Sequence, residues 1–353
     1  MRRAEAGRVR SPVRADPTRP RPLLPVLARM ALGLGLALVG AALLWHGSTL
    51  RPIPGLLVSR TPFSVPLDGK LPLDLATSAG LRFGSDRGNL TLGPLPAGSP
   101  DLLRGEAKHR ARNPLSLDTR RLGHDVQFGA WLAVRDLYER GTVTVSDPQP
   151  VQHELSARLS PALPLTLNTE TSVGAQTLDL TGLRLRGVTV RSDRGDLRLR
   201  LPGRPGGPYA VITRAGSVTV RVSPGAAPEA VRVNAREGDL DLDLGGARTE
   251  ALGVGNLGGD VALTLPAQLS RGSVTTTTGD VSVTARPGTR GNLDLRTQSG
   301  AVTLRLPRTL RTRVRFTDRE TLVLPQGTPP ATAPALDIFV DAPEESFRLT
   351  LTD

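Results

Sequence analysis

Through its second half this chain repeats a glycine about every 21 residues, and that period restricts the fold more than any other feature. Gly174, Gly195, Gly216, Gly238, Gly259, Gly279 and Gly300 are spaced by 21, 21, 22, 21, 20 and 21 residues. Most of the following residues are Asp or Ser. After each of the last six glycines comes an alternating run, such as Leu197/Leu199/Leu201, Val218/Val220/Val222, Leu240/Leu242/Leu244 and Val261/Leu263/Leu265. A second apolar pair precedes each glycine by seven and five residues, for example Val188/Val190, Val231/Val233 and Leu293/Leu295. Residues two apart in a strand face the same way. Two short strands per period, in phase with one corner, therefore predict an all-β solenoid of stacked coils. In Gly195–Pro202 the leucines point inward, while Asp196, Arg198 and Arg200 face water. Glycine suits the corner because a tight turn needs a positive φ, and the adjoining Asp or Ser can bond the local backbone. One coil buries too few side chains to offset the entropy of ordering its backbone, so stacking is obligatory.

The array degrades at both ends. Gln176 takes the first inward slot after Gly174, which predicts an edge coil. At the other end the next corner falls on Thr321, with Val314, Phe316 and Val323 as inward residues of a second edge coil. Leu336–Val340 and Phe347–Leu351, beyond a proline-rich break, are expected to cover the open end.

Charge is unevenly placed. The net +12 divides into +7 for residues 1–51, with nine Arg against Glu5 and Asp16, and +5 for the other 302. Between Arg29 and Arg51 lie 21 residues without formal charge, Met30 to Leu50, long enough for a bilayer-crossing helix. Eight Arg precede it, so the positive-inside rule places the tail in the cytoplasm and the rest of the chain outside. The expected organisation is an Arg-rich tail (1–29), a transmembrane signal-anchor (30–50) and a proline-rich spacer (51–72). Then come an N-terminal β unit (73–150), the solenoid (151–324) and a proline-rich break with capping strands (325–353). In the β unit Asp101–Arg112 reads as polar with a short helix. A cleaved signal peptide is the alternative for the apolar segment.

The stretch Leu73 to Leu201 resembles the bacterial toast-rack domains of membrane proteins in the cell-wall-antibiotic response. It does so through L-D-L-A-T-S-A-G-L-R-F-G (73–84), N-L-T-L-G (89–93), L-P-L-T-L (163–167), G-A-Q-T-L-D-L-T-G-L (174–183) and G-D-L-R-L-R-L-P (195–202). The repeating portion from Gly195 to Pro307 is similar to the related putative-adhesin β-solenoid domains. The resemblance implies an envelope protein that senses or tunes the response to surface stress, with a sensor kinase or another envelope protein as partner.

Little in the sequence carries catalysis. There is no Cys, which excludes disulfides, thiol catalysis and Cys-based metal sites. His46, His109, His124 and His153 show no paired spacing, and the solenoid beyond His153 has none. No nucleotide-binding loop, nucleophile elbow or zinc-protease motif occurs. Asp239, Asp241 and Asp243 share an outward strand face, but neighbours on one face lie about 6.8 Å apart, too far to hold one Ca²⁺ tightly. Arg221 on the preceding coil is placed to neutralise Asp243. The Arg-rich tail lacks the aromatics of a nucleic-acid binder and suits anionic lipid head groups. No cofactor, metal or nucleic acid is expected. The expected function is a non-catalytic membrane-anchored module with Arg198, Arg200, Arg221, Asp241 and Asp243 as its interaction face. The alternatives are an adhesin-like module that self-associates or binds wall polymer, and a carbohydrate-active β-helix enzyme.

Overall fold

A computed structural model describes residues 32–43, 58–67, 77–111, 113–134, 153–317, 320–325, 335–343 and 346–353. The chain divides into two compact units, Met1–Ile53 and Pro54–Asp353. In the first, residues 32–43 form an α-helix with largely exposed side chains. At 1.5 Å per residue it spans about 18 Å, and no helix among the described residues is long and apolar enough to cross a membrane. The flanking parts of the expected 30–50 anchor lie outside the described residues, as do the expected strands Leu73–Ala76 and Val143–Val145.

The second unit is all β. Nearly every strand belongs to one of two facing sheets, of twelve and thirteen strands. Each coil sends a long strand into the thirteen-stranded sheet, turns at its glycine, and sends a short strand into the twelve-stranded one. Thus Arg184–Arg194 leads to Leu197–Leu201, Tyr209–Ala215 to Val218–Val222, and Ala230–Glu237 to Leu240–Asp243. Successive coils pair in parallel and in register, with Leu197 beside Val218, Val218 beside Leu240, and Leu240 beside Val261. The alternating residues form one continuous core, in which Leu199, Val220, Leu242 and Leu263 are at most 2 % exposed.

The corner has a specific physical basis. All seven glycines from Gly174 to Gly300 have φ between +111° and +140°, a region that side chains rarely adopt. A Cβ on Gly238 would stand 2.7 Å from the carbonyl carbon of Gly216 and nearer still to its oxygen. The other corners are blocked in the same way by the previous corner carbonyl, and Gly174 by that of Gly88. The Asp after the glycine does not close its own turn, as the sequence suggested. Its Oδ1 instead accepts the N–H of the equivalent residue one coil on. Asp196 serves Ser217 (3.1 Å), Asp239 serves Asp260 (3.0 Å), Asp260 serves Asp280 (2.9 Å) and Asp280 serves Ala301 (2.8 Å). Asn89 does the same for Ala175 (3.0 Å). Stacking is the stronger demand here, because a strand-end N–H facing the next coil otherwise has no partner.

The ends differ from the sequence expectation. The Gln176 coil is interior, not an edge. Ser78–Arg87 and Asn89–Pro94, meeting at Gly88, form a further coil stacked on Pro164–Val173 and Gln176–Asp179. Gln176 is fully buried because its amide is satisfied by Thr169 Oγ1, Thr171 Oγ1 and the Arg191 carbonyl. Beyond this coil lie Asp125–Leu132 and Glu154–Leu159, paired in parallel with it. Two antiparallel strands follow. Asp101–Arg110 is a strand rather than a short helix, alternating Leu103, Ala107 and His109 inward. Val58–Pro66, inside the expected spacer, pairs with it as the outermost strand. Its Pro62 and Pro66 are tolerated because an edge need not donate on its free side.

At the other end the chain order and the spatial order part. The coil after Gly300 is not built around Thr321. Leu336–Asp341 and Phe347–Thr352 stack directly on Arg290–Ser299 and Val302–Pro307. Thr312–Phe316 is displaced outward onto Leu336–Asp341, with Leu322–Leu324 antiparallel to it. The late strands carry the stronger alternation, with Leu336, Ile338 and Val340 all at 1 % exposure or less, and they take the interior place.

Candidate functional site

The five residues expected to form an interaction face all lie on the outer surface of the twelve-stranded sheet. Parallel pairing arranges them in two rows: Arg198, Thr219 and Asp241 in one, and Arg200, Arg221 and Asp243 in the other. Neighbours within a row are one coil apart, about 4.8 Å. The pairing differs from the sequence expectation. Arg221 stands beside Asp243 in register but reaches diagonally to Asp241, with Nη1 donating to Oδ1 at 2.8 Å and Nη2 to Oδ2. The hydrogen bond to Asp241 raises the Arg221 pKa above its usual value, against the opposing effect of burial. Asp243 is held instead by Arg286, whose Nη2 is 3.3 Å from Oδ1, and by the Gly245 N–H at 2.9 Å. The Arg286 guanidinium lies over Gly245, where a Cβ would stand 2.6 Å from its two terminal nitrogens.

This divides the set. Arg221, Asp241 and Asp243 are bound up in cross-coil pairs, whereas Arg198 and Arg200 are exposed and make no ion pair among the described residues. Asp179, beside Arg200 in register, is engaged by its own turn through Thr181 Oγ1 at 2.6 Å. The surface thus offers two guanidinium groups that make no ion pair among the described residues, on a rigid parallel frame. It can hold an anionic partner.

Several other polar groups are engaged within the fold. Asp239 is spent on the corner ladder, so the three outward carboxylates of its strand have three different partners. His109 bonds Thr61 Oγ1 and the Arg110 carbonyl, and His153 bonds the Arg87 carbonyl. Both are buried. No group of three His, Asp or Glu among the described residues could hold a metal ion.

Sequence reasoning missed one charged cluster. Asp337 at the C-terminal end is bound by Arg313 and, at 3.1 Å, by Arg315 Nε. Burial pushes its carboxyl up, but the hydrogen bonds from Arg313 and Arg315 outweigh it and hold the group below the usual value. The signal was hidden because Arg313 and Asp337 become neighbours only through the crossed strand order.

Residues 139–319, just over half of the chain, match the family model of the Toastrack DUF4097 domains. Among curated proteins, none matches. Two solved structures are similar in outline. One is a putative cell adhesion protein of Clostridium sporogenes, 10% identical, with a TM-score of 0.34 over 84% of this chain and 99% of that one. The other is a putative adhesin of Bacteroides fragilis, 9% identical, with a TM-score of 0.39 over 84% and 97%.

Proposed function

Since the chain belongs to the Toastrack DUF4097 family, we propose that it is a non-catalytic β-solenoid module held at the cell envelope by its N-terminal segment. The tail faces the cytoplasm and the solenoid lies outside. Support for the anchor comes from the uncharged run Met30 to Leu50 behind eight arginines. The module works by presenting a surface in the response to envelope stress, and its partner is an envelope protein, such as a sensor kinase, with an acidic docking segment. The observation that carries this reading is the pair Arg198 and Arg200, exposed and without an ion pair among the described residues, where Arg221, Asp241 and Asp243 are paired internally.

The test is a crosslinking pull-down of the full-length protein from its native membranes. Single Ser replacements of Arg198 or Arg200 reduce partner recovery modestly, as exposed charges contribute below about 1 kcal/mol each. The double replacement abolishes recovery with the melting temperature unchanged. Recovery unaffected by the double replacement overturns the assignment of the face. Complete loss from one replacement points to a discrete chemical site and against a scaffold.

Self-association is a second reading, favoured by the C-terminal strand Phe347–Thr352, which ends the twelve-stranded sheet. Its inward Phe347, Leu349 and Leu351 are only half-buried, while the equivalent Val302, Leu304 and Leu306 one coil in are fully buried. An open edge of this kind accepts another strand. The same crosslinking experiment distinguishes this reading as a homodimer.

A further inference from the structure

At the N-terminal end of the unit the outer surface of the thirteen-stranded sheet has a gap in its side-chain pattern. Ser78–Arg87, Asp125–Leu132 and Leu115–Leu122 are adjacent strands. Their outward residues form a small grid: Gly80, Arg82 and Gly84 on the first, Gln127, Gly129 and Trp131 on the second, and Arg120, Asp118 and Ser116 on the third. Gly129 is at the centre, flanked by Arg82 and Asp118 and lying between Gln127 and Trp131. A Cβ on Gly129 would enter open space, meeting only the Asp118 Cβ at 3.9 Å. The missing side chain leaves a recess of about 280 Å³ lined by Arg82, Ser116, Asp118, Gly129, Ala130 and Trp131.

The walls are held in place. Trp131 lies across Gly84, where a Cβ would stand 2.8 Å from the indole Cη2 and closer still to Cζ3 and Cε3. The Arg82 guanidinium is 5.5 Å from the indole centroid and 3.3 Å from Glu170. Asp118 is 3.0 Å from Arg120 Nε. Covering Gly84 explains why an aromatic residue lies here, but it does not explain why the neighbouring position is empty or why a cation and a carboxylate face each other across it.

We propose that this recess is a binding site for one neutral sugar ring, a terminal or internal residue of a polysaccharide. At about 280 Å³ it has room for a single pyranose. Half-exposed indole offers an apolar surface to ring C–H groups, and Arg82, Asp118 and Ser116 supply donor and acceptor positions for hydroxyls on both sides. Each charge in the wall already has a counter-charge in Glu170 or Arg120. A neutral polyhydroxyl ligand therefore suits the site better than an anion or a zwitterion. The site lies on the other sheet from Arg198 and Arg200 and does not depend on that face.

The test uses the full-length protein in detergent micelles with Trp45→Phe, which leaves Trp131 as the sole tryptophan. Its emission is followed during titration with methyl glucoside, N-acetylglucosamine and, as a charged probe, glycine. A saturable response to a sugar is expected, with a Kd in the millimolar range appropriate to about a dozen heavy atoms in a shallow site. Gly129→Val, whose Cβ enters open space and whose methyls project into the recess, should weaken that response at least tenfold with the melting temperature unchanged. Asp118→Asn should weaken it severalfold. The assignment is overturned if neither sugar gives a saturable response, if glycine alone does, or if Gly129→Val leaves sugar binding intact.

Discussion

Gly238→Ala isolates the corner from the rest of the coil. Two effects add at this position. The backbone holds φ at +123°, a conformation nearly restricted to glycine, at a cost of about 1–3 kcal/mol for a residue with a Cβ. The new methyl would also collide with the Gly216 carbonyl, whose carbon is 2.7 Å away. Relief requires the two coils to separate locally, which strains the backbone bonds from Gly216 N to Glu237 O at 3.2 Å and from Val218 N to Asp239 O at 2.8 Å. At about 1 kcal/mol for each bond lost, the total is about 3–5 kcal/mol. A unit of this size loses about 2–4 °C per kcal/mol, so the melting temperature should fall by about 10 °C. Gly253→Ala is the matched control. Gly253 has an ordinary φ, and its Cβ would meet nothing nearer than Arg232 Cγ at 3.8 Å. Alanine is favoured over glycine within a strand by about 0.5–1 kcal/mol, so this variant should melt at or slightly above the wild type. The assay is thermal unfolding followed by far-UV circular dichroism. Hydrogen exchange on the coils around Gly238 detects local opening, since solenoid coils unfold semi-independently. Equal melting temperatures for the two variants would refute the claim that the corner carbonyl fixes the glycine.

Two further predictions use buried polar groups. Tyr209 is buried, its hydroxyl has no hydrogen-bond partner among the described residues, and burial pushes its pKa up to about 12 from 10.0. Tyr209→Phe should therefore be neutral or stabilising by about 1 kcal/mol, and it should remove the loss of stability that the wild type shows between about pH 10 and pH 12. A clear destabilisation on chemical denaturation would show that the hydroxyl is satisfied. Asp337 has a folded pKa below its usual 3.8, so its contribution is complete above that value and fades as the pH falls through the folded one. Asp337→Asn should lower stability by about 1–2 kcal/mol at pH 7, discounted for the exposure of both arginines, with the difference from wild type closing below about pH 4. A pH-independent difference between the two melting curves would exclude the charge as its cause.

What the sequence made legible follows from parity and period. Val188/Val190, Leu197/Leu199/Leu201 and their counterparts in later coils are buried where alternation put them, and Asp196, Arg198 and Arg200 are exposed. Local periodicity specifies which face a residue takes, because a one-residue slip would turn the whole strand over. It does not specify which coil stacks on which. Ser78–Pro94 packs on a coil that begins at Pro164, and Leu336–Thr352 displaces Thr312–Phe316, because shape and apolar content along the axis decide the neighbour. Side-chain reach was equally hidden. Arg221 can touch either Asp241 or Asp243 from its row, and only the three-dimensional position of Arg286 takes Asp243 out of contention. The recess at Gly129 could not be seen at all, since it depends on Arg82, Asp118 and Trp131 meeting from three strands.

The corner also explains why the most repetitive letters of this chain say least about recognition. Each Gly-Asp step serves the stack through its carbonyl packing and its Oδ1 bond to the next coil. Three residues before each corner glycine, on the inner face, runs a second row: Ser85, Thr171, Ser192, Thr213, Ala235, Asn256, Thr276 and Thr297, all buried. Large apolar side chains do not fit where the two sheets converge, and Asn256 uses its amide to bind the Gly238 and Gly259 carbonyls at 3.1 and 2.9 Å. Glycine, aspartate and the small inner residue thus work together to turn the chain at a fixed height, and a substitution in any of them is felt by the neighbouring coil. Outward side chains between the corners are less constrained, even where Arg221, Asp241 and Asp243 pair across coils. Replacing Arg198 with serine alters the charge at one point on the frame and leaves the coil above it unmoved. A rigid axis with variable outer rows is suited to presenting a pattern of charge to another surface.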